Sequence, residues 1–259
     1  MRRWHRAAGW RHRADYAASS WRCLTARTEL YADAQFLLGR CHHQGGGVVP
    51  PDYVVAASWY RKALAQGHPQ AAAYLGNLCE LGKGMPQDFG EARRLYEIGA
   101  AQGLVSAQVN LAVMLTTNRG GPVDFPAAFR WFLAAAEQGN SAGMNGAGMC
   151  YVYGHGVERD ITKGLTWLAA AANQRQPNAM HTLAALLFDG TVTPRNLEQA
   201  YIWASLALRA YNSADGKIPV LRELYEKICK MLSADDRARL DAAAAHWKAD
   251  APAPLPLLH

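Results

Sequence analysis

The sequence predicts an all-α protein: a right-handed α/α superhelical solenoid of helix-loop-helix repeats, closed by a C-terminal pair of capping helices. Two observations carry this prediction. An acidic or amide residue recurs every 36 residues along the chain, and alanine, aromatic and glycine columns keep the same period. Between these columns, apolar residues follow the three- and four-residue spacing of helices that bury one face. Self-similarity at a fixed period is the mark of a repeat architecture.

The recurring acidic or amide residue is the predicted N-cap of the second helix in each repeat. Its members are Asp52, Asp88, Asp124, Asp160 and Asn196. A short side chain at this position accepts hydrogen bonds from the first turn, and a negative charge suits the helix dipole. Seven residues further on stands a bulky apolar residue that we expect to face the core. This second column consists of Trp59, Leu95, Trp131, Trp167 and Trp203.

Glycines predict where the helices end. A glycine after the second helix supplies the left-handed conformation of a C′ residue. This column consists of Gly67, Gly103 and Gly139, and then breaks at Arg175 and Tyr211. A glycine loop also joins the two helices of each repeat, as at Gly82 and Gly84. Each repeat is therefore predicted as a helix, a glycine loop, a helix and a short turn.

These columns resemble the Sel1-like repeat family, whose pattern runs Ala, Leu-Gly, Tyr, Gly-x-Gly-Val, Asp, Ala, Trp-Tyr, Ala-Ala, Gly. The fourth repeat carries Gly148, Tyr151, Gly154, Gly156, Val157, Asp160, Trp167 and Ala170-Ala171. The resemblance covers residues 30–212, or five repeats, and implies a tetratricopeptide-like solenoid. The third loop departs from the pattern with Gly120-Gly121-Pro122. The fifth departs with Val192 where the second glycine belongs.

The two ends of the chain differ from the repeats. Residues 1–29 are basic, and we interpret them as a truncated leading repeat, with a disordered arm as the alternative. Residues 213–250 are predicted as the capping helices, with an apolar stripe from Leu221 and an N-cap at Ser233. Residues 251–259 contain three prolines at alternate positions and are predicted to be disordered.

Composition excludes several classes of protein. No apolar run approaches the ~18 residues of a membrane span. The five cysteines form no CxxC pair, so they do not indicate a disulfide framework. Cys41, Cys79 and Cys150 are expected as free, buried thiols, which favour a reducing compartment. We therefore expect a cytoplasmic protein. Because many members of the family are exported, a periplasmic or secreted protein is the alternative if the natural start lies upstream.

No active site, metal site or cofactor is predicted. The sequence contains no Ser-x-x-Lys, Gly-x-Ser-x-Gly or His-Glu-x-x-His, and its histidines lack the short paired spacing of a metal site. Gly45-Gly46-Gly47-Val48 lacks the Lys-Ser/Thr of a phosphate-binding loop. Two alternatives stay open. One is a hydrolase acting on cell-wall or β-lactam-like compounds, which some relatives were suspected of binding. The other is binding of an anionic surface or nucleic acid through the basic N-terminus.

The predicted function is that of a non-enzymatic scaffold or adaptor that binds a protein or peptide on its concave face. The first helix of each repeat is expected to line that face. Its candidate contact residues are Phe36, Arg40, His43, Asn77, Glu80, Val113, Asn145, Met149, His181 and Phe188. This stripe is polar at its N-terminal end and more apolar in the middle, which suits a peptide or helix better than nucleic acid. The resemblance adds a narrower possibility, a bacterial regulator or effector-immunity protein. The oligomeric state is not predicted.

Overall fold

The computed structural model describes residues 31–45, 50–211 and 218–246. Within these ranges the chain forms twelve α-helices and no strand. The helices belong to two compact units, the first ending at Ala107 and the second beginning at Gln108. The predicted leading half repeat, within residues 1–29, and the predicted disordered tail, residues 251–259, lie outside the described residues.

The helices of the first unit are α1 (Ala32–Gln44), α2 (Tyr53–Ala65), α3 (Pro69–Leu81) and α4 (Phe89–Ala101). Helix α5 (Val105–Leu115) contains the boundary between the units. The second unit continues with α6 (Phe125–Glu137), α7 (Ser141–Tyr153), α8 (Ile161–Asn173), α9 (Pro177–Asp189), α10 (Leu197–Ala210), α11 (Ile218–Cys229) and α12 (Ala234–His246).

Consecutive helices pack as pairs, as the repeat pattern predicts. The two helices of a repeat contact each other in the pairs α1–α2, α3–α4, α7–α8 and α9–α10. Neighbouring repeats meet through α2–α3, α6–α7 and α8–α9. Helices such as α2 and α8 therefore bury one face against their partner helix and another against the next repeat, as in other repeat proteins.

The predicted N-caps are confirmed. In each of the five repeats the side-chain oxygen accepts a hydrogen bond from the main-chain N–H three residues further on. The oxygen–nitrogen distances are 3.0 Å for Asp52, 2.9 Å for Asp88, 2.9 Å for Asp124, 2.9 Å for Asp160 and 3.0 Å for Asn196. These bonds satisfy a donor that has no partner within the helix and fix where the second helix begins.

The prediction that the aromatic column faces the core is only partly correct. Leu95 and Trp203 are fully buried, but Trp59, Trp131 and Trp167 remain partly exposed. The column that is buried in all five repeats lies one residue later. Its members are Tyr60, Tyr96, Phe132, Leu168 and Ala204. The reason is the helix period: these residues lie four after the buried small residue of the repeat and share its face, whereas their predecessors are turned about 100° away.

The helix-ending glycines adopt the predicted conformation, with φ of 81° at Gly67, 80° at Gly103 and 81° at Gly139. Arg175 occupies the equivalent position in the fourth repeat and has φ of 59°. It is the only described non-glycine residue with a positive φ. The turn therefore keeps its geometry without the residue type that adopts it at least cost.

The glycine loops differ between repeats in the way the sequence departs from the family pattern. Gly82 and Gly84 both have positive φ, as do Gly154 and Gly156. In the fifth repeat Gly190 has φ of 72°, while Val192 has no positive φ. That loop therefore uses one left-handed residue where the second and fourth use two.

A pair of glutamine side chains recurs in repeats one and three, and the repeat columns did not predict it. The Gln66 carboxamide donates to Gln35 Oε1 at 2.9 Å, and Gln138 donates to Gln108 Oε1 at 2.9 Å. Gln35 and Gln108 are 2% and 4% exposed. Each pair links the end of a second helix to the first helix of the same repeat and satisfies a buried amide.

Two helices follow the last repeat. Both α11 and α12 pack against α10. Ser233 caps α12, since its hydroxyl oxygen accepts from the Asp236 N–H at 3.0 Å. The Tyr201 hydroxyl on α10 lies 2.8 Å from the Tyr225 hydroxyl and donates to Asp241 at 3.1 Å, linking α10 to both later helices.

Four cysteines lie within the described ranges, and all are free thiols. Cys79 and Cys150 are buried as expected, but Cys41 is exposed near the end of α1. Cys41 was expected in the core because it stands near the equivalent position of its repeat. Cys41 lies two residues after Gly39, as Cys150 lies two residues after Gly148, so the helix position is the same. Because α1 is the first helix that the structure describes, no described helix of an earlier repeat covers Cys41.

Candidate functional site

The second unit carries a groove that runs along α7 and α9. Its first part has a volume of about 490 Å³ and its second part about 390 Å³, and the two share Met149, His181 and Thr182. The first part is lined by the N-terminal halves of α7 and α9, and the second by their C-terminal ends, including Tyr153 and Asp189. Both helices therefore run in the same direction along the groove.

The first helix of the preceding repeat, α5, forms one side of this groove, and α11, which follows the last repeat, forms the other. On one side α5 contributes Val109 and Val113, and Val113 is 44% exposed. On the other side α11 contributes Val220 to the first part and Leu224 to the second. Apolar side chains thus flank a floor built by α7 and α9.

Glycine in α7 brings an aromatic ring to the groove wall. A β-carbon at Gly146 would overlap the Phe132 ring, which lines the first part of the groove. A β-carbon at Gly143 would lie 2.7 Å from Ala135 on α6, and one at Gly148 would lie 2.8 Å from Leu168 on α8. These glycines therefore allow α7 to pack closely against α6 and α8.

The floor is mixed, with Met149, Ala185 and Phe188 beside polar side chains, and it is almost uncharged. No Asp, Glu, Lys or Arg lines the first part, and Asp189 alone lines the second. The polar residues along the first part are Asn145, Gln176, Asn178, His181 and Thr182. Such a surface can exchange hydrogen bonds with an uncharged ligand, whereas an unpaired charge placed there would lose hydration without compensation.

Most of these polar groups already have a structural role, and one does not. Gln176 caps α9 by accepting from the Ala179 N–H at 2.9 Å. Asn178 Oδ1 accepts from the Tyr211 hydroxyl at 2.8 Å, and the Thr182 hydroxyl donates to the Asn178 carbonyl at 2.9 Å. Asn145 Oδ1 is buried and has no hydrogen-bond partner. An unpaired buried acceptor is costly, so this oxygen marks a place where a donor would be bound favourably.

The structure brings five of the ten predicted contact residues together in this groove. They are Val113, Asn145, Met149, His181 and Phe188. The other five lie in the first unit and are described with it. Counting helix positions from the repeat columns therefore located the first-helix residues that line one cavity, although it gave no measure of the cavity itself.

In the first unit, Phe36 does not present a surface to a partner. It is 4% exposed and stacks on His68 with ring centroids 4.3 Å apart. Its prediction as a contact residue is wrong, because its ring also packs against Tyr60 on α2 and Tyr74 on α3. Phe36 is a core residue.

The remaining predicted residues of the first unit are partly exposed. His43 Nδ1 lies 3.3 Å from the Tyr60 hydroxyl. Burial, helped by the positive charge of Lys83, holds the pKa of His43 below its usual value. Glu80 accepts from the Tyr96 hydroxyl at 2.8 Å. These contacts give His43 and Glu80 structural roles.

Arg40 and Asn77 complete the predicted stripe in the first unit. The Arg40 guanidinium lies 6.0 Å from the centroid of the Phe36 ring, and its buried Nε has no hydrogen-bond partner. Asn77 is partly exposed on α3.

Several groove residues were not predicted from the sequence. Gln176, Asn178 and Thr182 lie on α9 beside the counted positions, and Val220 and Leu224 come from α11 after the repeats. The apolar stripe of α11 was visible in the sequence. The contact of α9 with α11 could not be predicted from the sequence. This contact places Leu224 of the stripe, and the nearby Val220, along the groove.

The described residues contain no group of three or more His, Cys, Asp or Glu side chains placed to hold a metal ion. Among the same residues, no helix combines the length and apolar character needed to cross a bilayer.

The geometry defines an all-α helical-repeat protein with a groove formed by the first helices of its repeats. The chain belongs to the Sel1 repeat family, a family of helical-repeat scaffolds. The family model matches residues 32–68, 69–104, 105–140, 141–175 and 177–212. Each match begins at or just before a first helix and ends after the second helix, so the five predicted repeats are confirmed.

Solved structures share this fold. A protective antigen of uropathogenic Escherichia coli strains, described as displaying an SLR fold, is 27% identical with a TM-score of 0.65. The match covers 89% of this chain but only 53% of the antigen, so the chain spans about half of that protein's length. A Sel1 repeat protein from Oxalobacter formigenes is 24% identical, with a TM-score of 0.65 over 83% of this chain and 87% of its own.

More distant matches include an immunity protein from Pseudomonas aeruginosa, 17% identical with a TM-score of 0.46 over 88% of this chain and 89% of its own. No curated protein matches the sequence.

Proposed function

We propose that this chain is a non-enzymatic scaffold or adaptor that binds a protein partner through the groove along α7 and α9. The observation that carries the proposal is the groove itself. Its apolar sides and its mixed, almost uncharged floor come from the first helices of three successive repeats and from α11. An apolar surface with a few oriented polar groups is typical of a recognition site.

The proposal extends to the partly exposed residues of the first unit. Arg40, His43, Asn77 and Glu80 occupy the corresponding first-helix stripe on α1 and α3. A narrower role as a bacterial regulator or immunity-type protein falls within the same proposal, since both act by binding another protein.

We place the protein in the cytoplasm. The free thiols of Cys41, Cys79 and Cys150 support this assignment, because unpaired cysteines are typical of reducing compartments.

The test compares two substitutions of the same residue type. Val113 lines the groove and is 44% exposed, and Val123 lies outside it and is 43% exposed. Val113→Glu places a charge against the apolar side, whereas Val123→Glu makes the same change at equal exposure elsewhere. A wild-type bait and both variants are used to capture proteins from a native lysate, and the bound proteins are quantified by mass spectrometry.

We expect a partner that the wild type and Val123→Glu retain equally and that Val113→Glu loses by at least about tenfold, the effect of roughly 1.4 kcal/mol. Thermal melting of all three proteins shows whether they remain folded. Equal retention by a folded Val113→Glu variant would overturn the assignment of the groove as the binding surface.

A further inference from the structure

The polarity of the groove limits what can occupy it, and the argument rests on the proposed function. The N-termini of α7 and α9 lie along the first part and their C-termini along the second. Parallel helix dipoles give the second part a partial negative charge. Asp189, the charged residue among the lining side chains, stands at this same end. The side-chain charge and the dipoles therefore act in the same direction.

Neither part is lined by a lysine or an arginine. The nearby Arg195 packs its guanidinium 5.0 Å from the centroid of the Phe188 ring but is not among the lining residues. The Asp189 carboxylate accepts a hydrogen bond from the Thr191 hydroxyl at 2.9 Å. This bond orients the carboxylate, and because the hydroxyl is neutral it does not cancel the negative charge. A positive group passing this end would be bound favourably.

The floor also distinguishes an extended segment from a helix. The unpaired Asn145 Oδ1 requires a donor, and the wall beside it carries further carboxamides. A peptide in extended conformation offers free main-chain N–H and C=O groups, whereas the interior of a helix has used its own. From Gln176 to Asp189 α9 rises about 20 Å, which corresponds to about six extended residues.

We infer that the groove binds an extended peptide segment of about six residues, uncharged along α7 and α9 and carrying one cationic group beside Asp189. Its apolar side chains contact Val113, Met149 and the α11 side, while its main chain bonds with Asn145. The segment therefore runs in one fixed direction, with its positive end at the C-termini of α7 and α9.

The probe is a pair of synthetic libraries of acetylated six-residue peptides with amidated C-termini. One library is linear, and the other is locked into a helix by a lactam bridge. Each contains equal shares of peptides that are uncharged, carry one lysine at either end, or carry one glutamate at either end. Retention by immobilised full-length protein is measured for the wild type, Val113→Glu, Asp189→Lys and Glu137→Lys. Glu137 is exposed and lies outside the groove, so its reversal is the matched control.

We expect the wild type to retain linear peptides and to prefer a lysine at one end over a glutamate there by about fivefold, the size of one exposed charge pair. Asp189→Lys should invert this preference, and Glu137→Lys should leave it unchanged. Retention of no linear peptide, or a lysine preference that survives Asp189→Lys, would overturn the inference.

One outcome separates the inference from the proposed function. If the helical library is retained, and that retention is lost in Val113→Glu, the groove is a binding surface but its occupant is a helix. The proposed function then stands and the inference fails.

Discussion

Gly156, in the loop of the fourth repeat, lies directly against the main chain of Phe125 at the start of α6, so closely that a β-carbon would overlap the Phe125 carbonyl. Two repeats earlier, Gly84 stands in the same relation to the Tyr53 carbonyl. The loop of one repeat thus packs on the first turn of the second helix in the repeat before it. The second glycine of the family's loop pattern is required by this contact as well as by its positive φ.

Gly156→Ala should therefore cost far more stability than Gly139→Ala. At Gly139 a β-carbon would meet nothing within 4 Å, so only the positive φ of 81° opposes alanine, at about 1 kcal/mol. At Gly156 the overlap adds about 1–3 kcal/mol. Urea unfolding of the two variants measures the difference. Equal losses would mean that the loop moves aside without cost.

Arg175→Gly should be more stable than Arg175→Ala by about 1 kcal/mol, because alanine keeps the positive φ of 59° and glycine relieves it. Both variants remove the guanidinium, so the comparison cancels any contact of the arginine side chain. Thermal and urea unfolding provide the measurement. If the alanine variant is as stable as the glycine variant, the turn carries no strain.

The stability of the first unit should fall as the pH drops below about 6.5, the usual pKa of histidine. Burial and the charge of Lys83 lower the pKa of His43 in the folded protein. The unfolded chain therefore binds a proton first as the pH falls, and the free energy of unfolding decreases until His43 in the folded protein also titrates.

An NMR titration of His43 measures the shift directly. His43→Gln should remove this part of the pH dependence, and Lys83→Met should raise the pKa of His43 toward its usual value. A wild type and a His43→Gln variant with identical stability profiles between about pH 7.5 and 5 would refute the assignment.

Cys41 should react with iodoacetamide well before Cys150. Cys41 is exposed, whereas burial raises the pKa of Cys150 to about 11. At about pH 8 only roughly a thousandth of Cys150 is then the reactive thiolate. Mass spectrometry of time-resolved labelling identifies each site, and Cys41→Ser should remove its modification. Labelling of Cys150 at the rate of Cys41 in the folded protein would contradict its burial.

The fold was predictable because every repeat needs the same helix caps and turns, and the residues that meet these needs recur at a spacing of 36. The N-cap at Asp88 and the left-handed Gly103 each satisfy a local rule that adjacent residues determine. The column that faces the core was assigned one residue early. Trp59 and Tyr60 are both large and aromatic, so composition alone did not separate the buried Tyr60 from the partly exposed Trp59.

The groove was predictable only in part. Met149 and His181 follow from counting along first helices, because the repeat fixes which face is free. The side formed by Val220 could not be predicted in this way, because it depends on how α11 packs after the repeats end. Phe36 shows the opposite error: it holds the same first-helix position as Asn145, three residues before a buried glycine, but its ring stacks on His68 and is buried.

The hydroxyl of Tyr201, shared between Tyr225 and Asp241, has a mechanical consequence. Because one phenol on α10 bonds to both α11 and α12, a force applied through the C-terminal side of the chain loads the two contacts together. The last two helices should then yield in a single step. Because α11 also supplies Val220 and Leu224, unfolding of these helices would remove one side of the groove. Tension on the C-terminal helices should therefore weaken the binding of a ligand in the groove.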